Sequence, residues 1–302
     1  MRRKNTSRLR SGEAVTGYLF FSPFLLGFLG FWIIPILYSL YLSFTSYKNF
    51  GTPEWIGLAN YKFLLLKDPL LPKSLWNTFY FVFLNVPLSN MLSIFLAILL
   101  NQKVWGIRLF RTIFYVPSVV SGVAFALLFK WVLDPNFGLV NTALAYVGIE
   151  GPGWFASPEW SKPSIIFMGL WGAGQGMIIY LAGLQGISRE LYEASRVDGA
   201  GKMRQFFSIT IPMLSPVIFL NVLLGIIGSL QVYLPSLILT GGGPVNSTKF
   251  YAYYLYTAAF EEGRMAYASA MAWILLVITL LLTVLFLKTS KSWVYYEGGD
   301  GR

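Results

Sequence analysis

The side chains that most often do acid–base, nucleophilic or zinc chemistry are missing from this sequence, which has neither histidine nor cysteine. A Ser/His/Asp triad, a Cys/His pair, the usual zinc sites and disulfides are therefore excluded. A phosphate-binding loop fails at both ends. Gly201-Lys202 runs into Met203 rather than Ser or Thr, and Arg196 stands where the first glycine is needed. The chain is not expected to hydrolyse ATP. Glu261-Glu262, the adjacent acidic pair, precedes Gly263-Arg264 and reads as a solvated turn rather than a catalytic or cation site. What remains is amide chemistry. Asn85, Asn90, Gln175, Asn221 and Gln231 fall inside long apolar stretches. An amide both donates and accepts hydrogen bonds, as a sugar hydroxyl does. With aromatics such as Trp171 and Tyr233 beside them, these residues are candidates to line a sugar path. Gln175 and Gln231 rank first, being flanked by small residues or placed mid-span. The competing role for all five amides is hydrogen bonding between membrane helices.

A second kind of chemistry, contact with another protein, is written into residues 188–212, SRELYEASRVDGAGKMRQFFSITIP. Ser188 can cap a short helix, with Glu190 near its positive end. Asp198-Gly199 is a turn signal, and Gly199 suits a left-handed C-cap. A second short helix is expected around 203–207, and Pro212 is placed to begin the next span. Ala194, Ser195, Ala200 and Gly201 keep the turn slim, so that its backbone can approach a groove on a partner. An ordinary interfacial loop is the alternative.

The elements that must position these residues are membrane helices. Hydrophobic residues make up 56% of the chain and charged ones only 12%, against about 25% charged in soluble domains. Such a surplus of apolar surface must face lipid. Aromatics, at 18%, suit the two interfaces. About 20 apolar residues are needed to cross the hydrocarbon core, and six stretches qualify: 14–47, 74–102, 112–129 (extending to 133 if Lys130 snorkels), 163–188, 212 to about 235, and 266–287. The first follows the basic start MRRKNTSRLR but is too long for a cleaved signal and lacks a small-residue cleavage site. The chain therefore divides into a basic tail (1–13), a first transmembrane helix (14–47), an outer loop (48–73), a core of five spans (74–288) containing the 188–211 loop, and a C-terminal tail (289–302). With both termini inside, 15 of the 23 Lys and Arg fall on the cytoplasmic side, against four basic residues in the first outer loop alone. The net charge of +10 fits basic loops near anionic lipid rather than nucleic acid, since no basic run with interleaved aromatics follows the N-terminal arm. Two outer segments, the Pro/Trp-rich 152–163 and TGGGPVNST at 240–248, could dock an external partner or simply connect helices.

Glu193-Ala194-Ser195-x-x-Asp198-Gly199-Ala200, followed by Ile211-Pro212, resembles the Glu-Ala-Ala loop of permease subunits in bacterial binding-protein-dependent ABC importers. Ser195 stands where the second alanine is usual. WIGLANY (55–61), Asn77-Thr78, LLNQ (99–102), Arg111 with Pro117, GLVN (138–141), GGGP (241–244) with Thr248, and YASA (267–270) are similar to the carbohydrate branch, of the maltose, lactose and glycerol-3-phosphate permease type. The resemblance implies an all-α type I permease fold with a cytoplasmic coupling helix in a bacterial-type inner or plasma membrane. It also implies a second permease subunit, a cytoplasmic ATPase dimer that holds ATP and Mg²⁺, and an extracytoplasmic solute-binding protein. No cofactor is expected on this chain. An ion-coupled secondary transporter or channel is the rival. Intramembrane ionisable residues, which such carriers often use, are lacking in the spans, although a Na⁺ site built from carbonyls and hydroxyls would not need them.

Overall fold

The computed structural model describes residues 6–48, 51–102 and 104–295, with side chains from residue 14 onward. The first five residues and the end of the C-terminal tail lie outside these. Among the described residues the chain is helical, with a single isolated β-bridge between Thr45 and Trp55. Four helices are long and apolar enough to cross a membrane, and six spans result if two bent helix pairs each count as one. The chain divides into two compact units.

The first unit comprises residues up to Lys67 together with Ala258–Ile274. Helix α1 (Thr6–Phe28) continues through a π-helical turn, Leu29–Ile33, into α2 (Ile34–Ser43). Residues 6–13 are thus helical rather than a separate tail. The span ends at Ser43, and the WIGLANY segment explains why. Asn60, on α3 (Ala59–Leu66), donates its amide to the carbonyls of Ser43 and Thr45 at 2.9 and 2.8 Å. Tyr61 Oη donates to Ser43 Oγ at 2.8 Å, and Trp55 stacks on Phe44 with centroids 5.4 Å apart. The carbonyls orphaned at the helix end are satisfied by the loop that follows.

The second unit comprises Asp68–Thr257 and the chain from Leu275 onward. Its central element is α4 (Leu70–Leu100), which packs on α9 (Gly174–Gly186) and α12 (Ile211–Leu230). Ala97, Met177, Tyr180 and Leu214 are fully buried in that packing. Around it lie α5 (Ile107–Val119), α6 (Gly122–Val132), α7 (Leu139–Tyr146), α8 (Pro158–Trp171), α10 (Arg189–Val197), α11 (Lys202–Gln205) and α13 (Tyr251–Tyr256). Helix α14 (Met265–Ser290) is the last.

Three expectations need correction. The third span, expected as one helix over 112–129, is two: α5 and α6 meet at 99°. Val120 and Ser121 are extended there, ending α5 three residues after Pro117 and starting α6 in a new direction. The fourth span also bends, by 46°, between α8 and α9. At the bend the carbonyl of Ala173 accepts from Ser93 Oγ of α4 at 2.9 Å as well as from Met177 N–H at 3.0 Å, a side-chain contact of the kind that supports a bent membrane helix. Pro212, in turn, does not begin the fifth span. One helical rod runs from Lys202 to Leu230, with a π-helical turn at Phe206–Thr210 just before Ile211 and Pro212. Ile211 N–H donates to Phe206 O across the wide turn. The wide turn re-registers the ladder where proline has no N–H to give.

Candidate functional site

Three helices of the second unit leave a cavity of about 370 Å³ between them. Helix α4 contributes Ser89, Asn90 and Ser93, α9 with the preceding bend contributes Gly172, Ala173, Gln175, Gly176 and Ile179, and α12 contributes Asn221, Leu224 and Gly225. Every polar lining group is an amide or a hydroxyl, and none is charged. Asn90 is held by Tyr180, whose hydroxyl donates to Oδ1 at 2.5 Å, while its own Nδ2 back-bonds to Val86 O at 2.8 Å. Asn221 back-bonds to Val217 O at 3.0 Å. Gln175 is exposed to the cavity and donates no hydrogen bond among the described residues.

Of the residues singled out from sequence, the cavity gathers Gln175, Asn221 and Asn90. Asn85 borders it only indirectly. Its Nδ2 donates to Ser229 Oγ at 3.3 Å, its buried Oδ1 is unpartnered, and a Cβ on the cavity-lining Gly169 would stand 2.8 Å from that oxygen. Gln231 is not mid-span: α12 ends at Leu230 and Gln231 is its exposed C-cap, outside the cavity. Trp171 lies at the α8–α9 bend among apolar neighbours, including Leu96, Phe114 and Pro117. Tyr233 stacks on Tyr256 with centroids 5.7 Å apart. Neither aromatic lines the polar cavity.

Sequence reasoning missed Ser89, Ser93 and the small residues that make the space. A signal was present. Gly169, Gly172, Ala173 and Gly176 recur at helical spacing on one face, as do Ser89 with Ser93 and Asn221 with Gly225. Small residues at such spacing let membrane helices approach closely. The approach is tight: a Cβ on Gly176 would sit 2.7 Å from Ser93 Oγ.

The 188–211 loop forms the helix expected of it. Ser188 Oγ accepts from Glu190 N at 3.2 Å, α10 covers Arg189–Val197, and Gly199 has φ +77°. Ser195 does more than stay small. Its Oγ donates to Tyr192 O at 2.9 Å and accepts from Gln205 Nε2 at 2.9 Å. Gln205, a buried residue of α11, thereby ties α10 to the rod that starts at Lys202, and Tyr192 Oη meets Thr210 Oγ1 at 2.9 Å as a second tie. By contrast, Glu193 is exposed and makes no hydrogen bond or ion pair among the described residues. Leu191, Val197, Met203 and Phe207 are exposed as well, Val197 by 88%.

The 240–248 segment is no loose connector. Asn77 donates its amide to Asn246 O at 2.8 Å and Lys249 O at 3.3 Å, and accepts from Lys162 Nζ at 3.1 Å. Thr78 Oγ1 accepts from Tyr251 N, and Thr248 Oγ1 donates to Gly243 O, both at 2.8 Å. Asn77-Thr78 and the 246–251 stretch that follows GGGP, far apart in sequence, are the two halves of one clasp.

An all-helical, multi-pass membrane chain with an uncharged polar cavity and a protruding helix–turn between two spans is built as a transport subunit. Residues 89–289 match the family described as the binding-protein-dependent transport system inner membrane component. The chain is 41% identical to the probable ABC transporter permease protein YesP of Bacillus subtilis, over 97% of this chain and 96% of the relative. It is 35% identical to the lactose transport system permease protein LacF of Rhizobium radiobacter, over 92% and 95%. A crystal structure of a bacterial ABC transporter involved in the import of the acidic polysaccharide alginate contains a chain that superposes with a TM-score of 0.84 at 25% identity, covering 94% of this chain and 98% of that one. The chain belongs to the binding-protein-dependent transport system inner membrane component family, as a permease subunit. The ion-coupled carrier left open by sequence alone is not favoured.

Proposed function

We propose that this permease subunit forms half of the pore of an ATP-driven importer for a sugar or sugar-like solute. The observation that carries the reading is the cavity between α4, α9 and α12. It is lined by amides and hydroxyls without a charge, the chemistry that exchanges hydrogen bonds with a neutral polyhydroxylated solute. The naming of one relative for lactose and of another, MalF of Thermococcus litoralis, for trehalose and maltose supports the same class. A second permease subunit completes the pore. An extracytoplasmic solute-binding protein delivers the solute, in line with a related alginate importer solved with its periplasmic protein. ATP and Mg²⁺ are held by a cytoplasmic ATPase dimer, and α10 with its turn is the contact to it. Glu193, Ala194, Ser195, Asp198, Gly199 and Ala200 shape that contact. Unpaired Glu193 and exposed Val197 and Met203 are what a partner surface would cover. Transport proceeds by alternating access, and ATP binding drives it only through contacts that differ between the two pore states.

In uptake assays on cells making the complete importer, Gln175→Leu and Asn221→Leu should each lower uptake about tenfold, the loss expected when a buried hydroxyl of the solute meets no partner. Membrane insertion should be unchanged. Wild-type uptake and apparent affinity in both variants would assign these amides to helix packing.

Both termini and the 188–211 loop are placed in the cytoplasm of a cell whose inner or plasma membrane holds the chain, on the distribution of Lys and Arg. The cysteine-free sequence allows a direct check. A cysteine at position 196 should resist an impermeant thiol reagent in intact cells and react after permeabilisation. Labelling in intact cells would invert the topology.

A further inference from the structure

A second, larger cavity of about 590 Å³ opens at the end of the second unit that carries α10, between the C-terminus of α4, the start of α5 and the α9–α10 junction. Its polar lining is Asn101, Gln102, Arg111, Gln185, Arg189 and Tyr192, so it holds two guanidinium groups and no carboxylate. Arg111 is anchored: Nε and Nη2 donate to Leu100 O at 3.2 and 2.8 Å, which leaves its Nη1 protons unused. Arg189 makes no side-chain hydrogen bond or ion pair among the described residues. The nearest acids in sequence, Glu190 and Glu193, are exposed and do not line the cavity. The N-terminus of α5, at Ile107, opens on the same space and adds the positive end of its dipole. Val104 and Trp105, just before Ile107 in the chain, are both exposed, Trp105 by 99%. Exposed tryptophan in a membrane protein is enriched at the boundary between headgroups and acyl chains.

We propose that this cavity binds the phosphate-bearing headgroup of an anionic phospholipid, with the acyl chains lying along Val104 and Trp105. One anchored guanidinium, Arg111, and one uncommitted guanidinium, Arg189, facing amides and no acid, suit a phosphodiester anion better than a neutral solute. The site is separate from the uncharged cavity and does not depend on what that cavity transports. Tyr192 links it to α10: its ring lines the lipid site while its hydroxyl ties the loop to Thr210.

The test is lipid retention by the full-length chain. The chain is reconstituted with equal parts phosphatidylglycerol and phosphatidylcholine, taken back into detergent, and its bound lipid is measured by mass spectrometry. Phosphatidylglycerol should be retained in preference, and its retention should fall about fivefold for each arginine removed, in Arg189→Gln and in Arg111→Gln. Arg111 also serves the fold, so Gln102→Glu is the companion variant. It keeps both arginines and the Leu100 contact but sets a carboxylate in the site, and it should expel phosphatidylglycerol. Equal retention of the two lipids, or full retention by Arg189→Gln and Gln102→Glu, would overturn the proposal. Excess inorganic phosphate should not displace the lipid. Displacement would make this a site for a free anion and overturn the assignment to lipid.

Discussion

Replacing Gly199 by valine is expected to abolish uptake while leaving the chain inserted in the membrane. Gly199 holds φ +77°, where a side chain costs roughly 1–2 kcal/mol, and more for a β-branched one. That is too little to undo a bundle whose spans are untouched. Among the described residues nothing beyond its chain neighbours lies within 4 Å of where a Cβ would be, so the space beside Gly199 is open on its own subunit. A loss beyond the backbone strain is then expected from a partner that approaches the turn. Gly199→Ala separates the two effects, because it carries the backbone strain with little bulk and should retain part of the uptake. Glu193→Ala, at an exposed residue, should be milder still. The measurements are uptake, ATPase activity and co-purification of the ATPase, with insertion checked separately. Normal uptake by Gly199→Val at normal expression would reduce the loop to a connector.

Gly174→Leu is expected to fail earlier, at assembly of the helices, with little protein accumulating in the membrane. A Cβ on Gly174 would run into the carbonyl of Phe114 and stand 3.1 Å from Tyr115 Cα. Both are backbone atoms of α5, which no change of rotamer can move aside. Overpacking a core by side-chain contact costs about 1–3 kcal/mol, and here the obstacle is another helix's main chain. Gly186→Ala is the control on the same helix, since nothing lies within 4 Å of its Cβ position. Membrane-fraction immunoblots and resistance to mild proteolysis should show loss for Gly174→Leu and none for Gly186→Ala. Equal accumulation of both would mean that α5 and α9 do not meet as described.

Length and hydropathy were enough to locate six apolar stretches, because a bilayer imposes a minimum length that composition alone reveals. The α10 helix was legible for a local reason: Ser188 and Gly199 are start and stop signals that act within a few residues. The break at Val120–Ser121 was not, since Val and Ser are ordinary in a membrane helix and Pro117 can be absorbed there. The role of Ser195 was equally hidden, because its partner, Gln205, is ten residues away across a turn. Among the amides, polarity alone could not tell a residue facing the cavity from one at a helix end. Gln231 and Asn221 look alike in sequence, and only the end of α12 at Leu230 distinguishes them.

The rod from Lys202 to Leu230 begins beside the α10 turn and carries Asn221 into the polar cavity, about 28 Å further along at 1.5 Å per residue. Anything that binds at either end therefore acts on one shared element, whose compliant places are the wide turn at Phe206–Thr210 and the prolines at 212 and 216. If engaging the ATPase changes the affinity of the cavity for solute by some factor, solute must change the affinity of the loop for the ATPase by the same factor. The strength of that linkage can then be read from either end. Solute titrations with and without the ATPase, and ATPase titrations with and without solute, should return one and the same number.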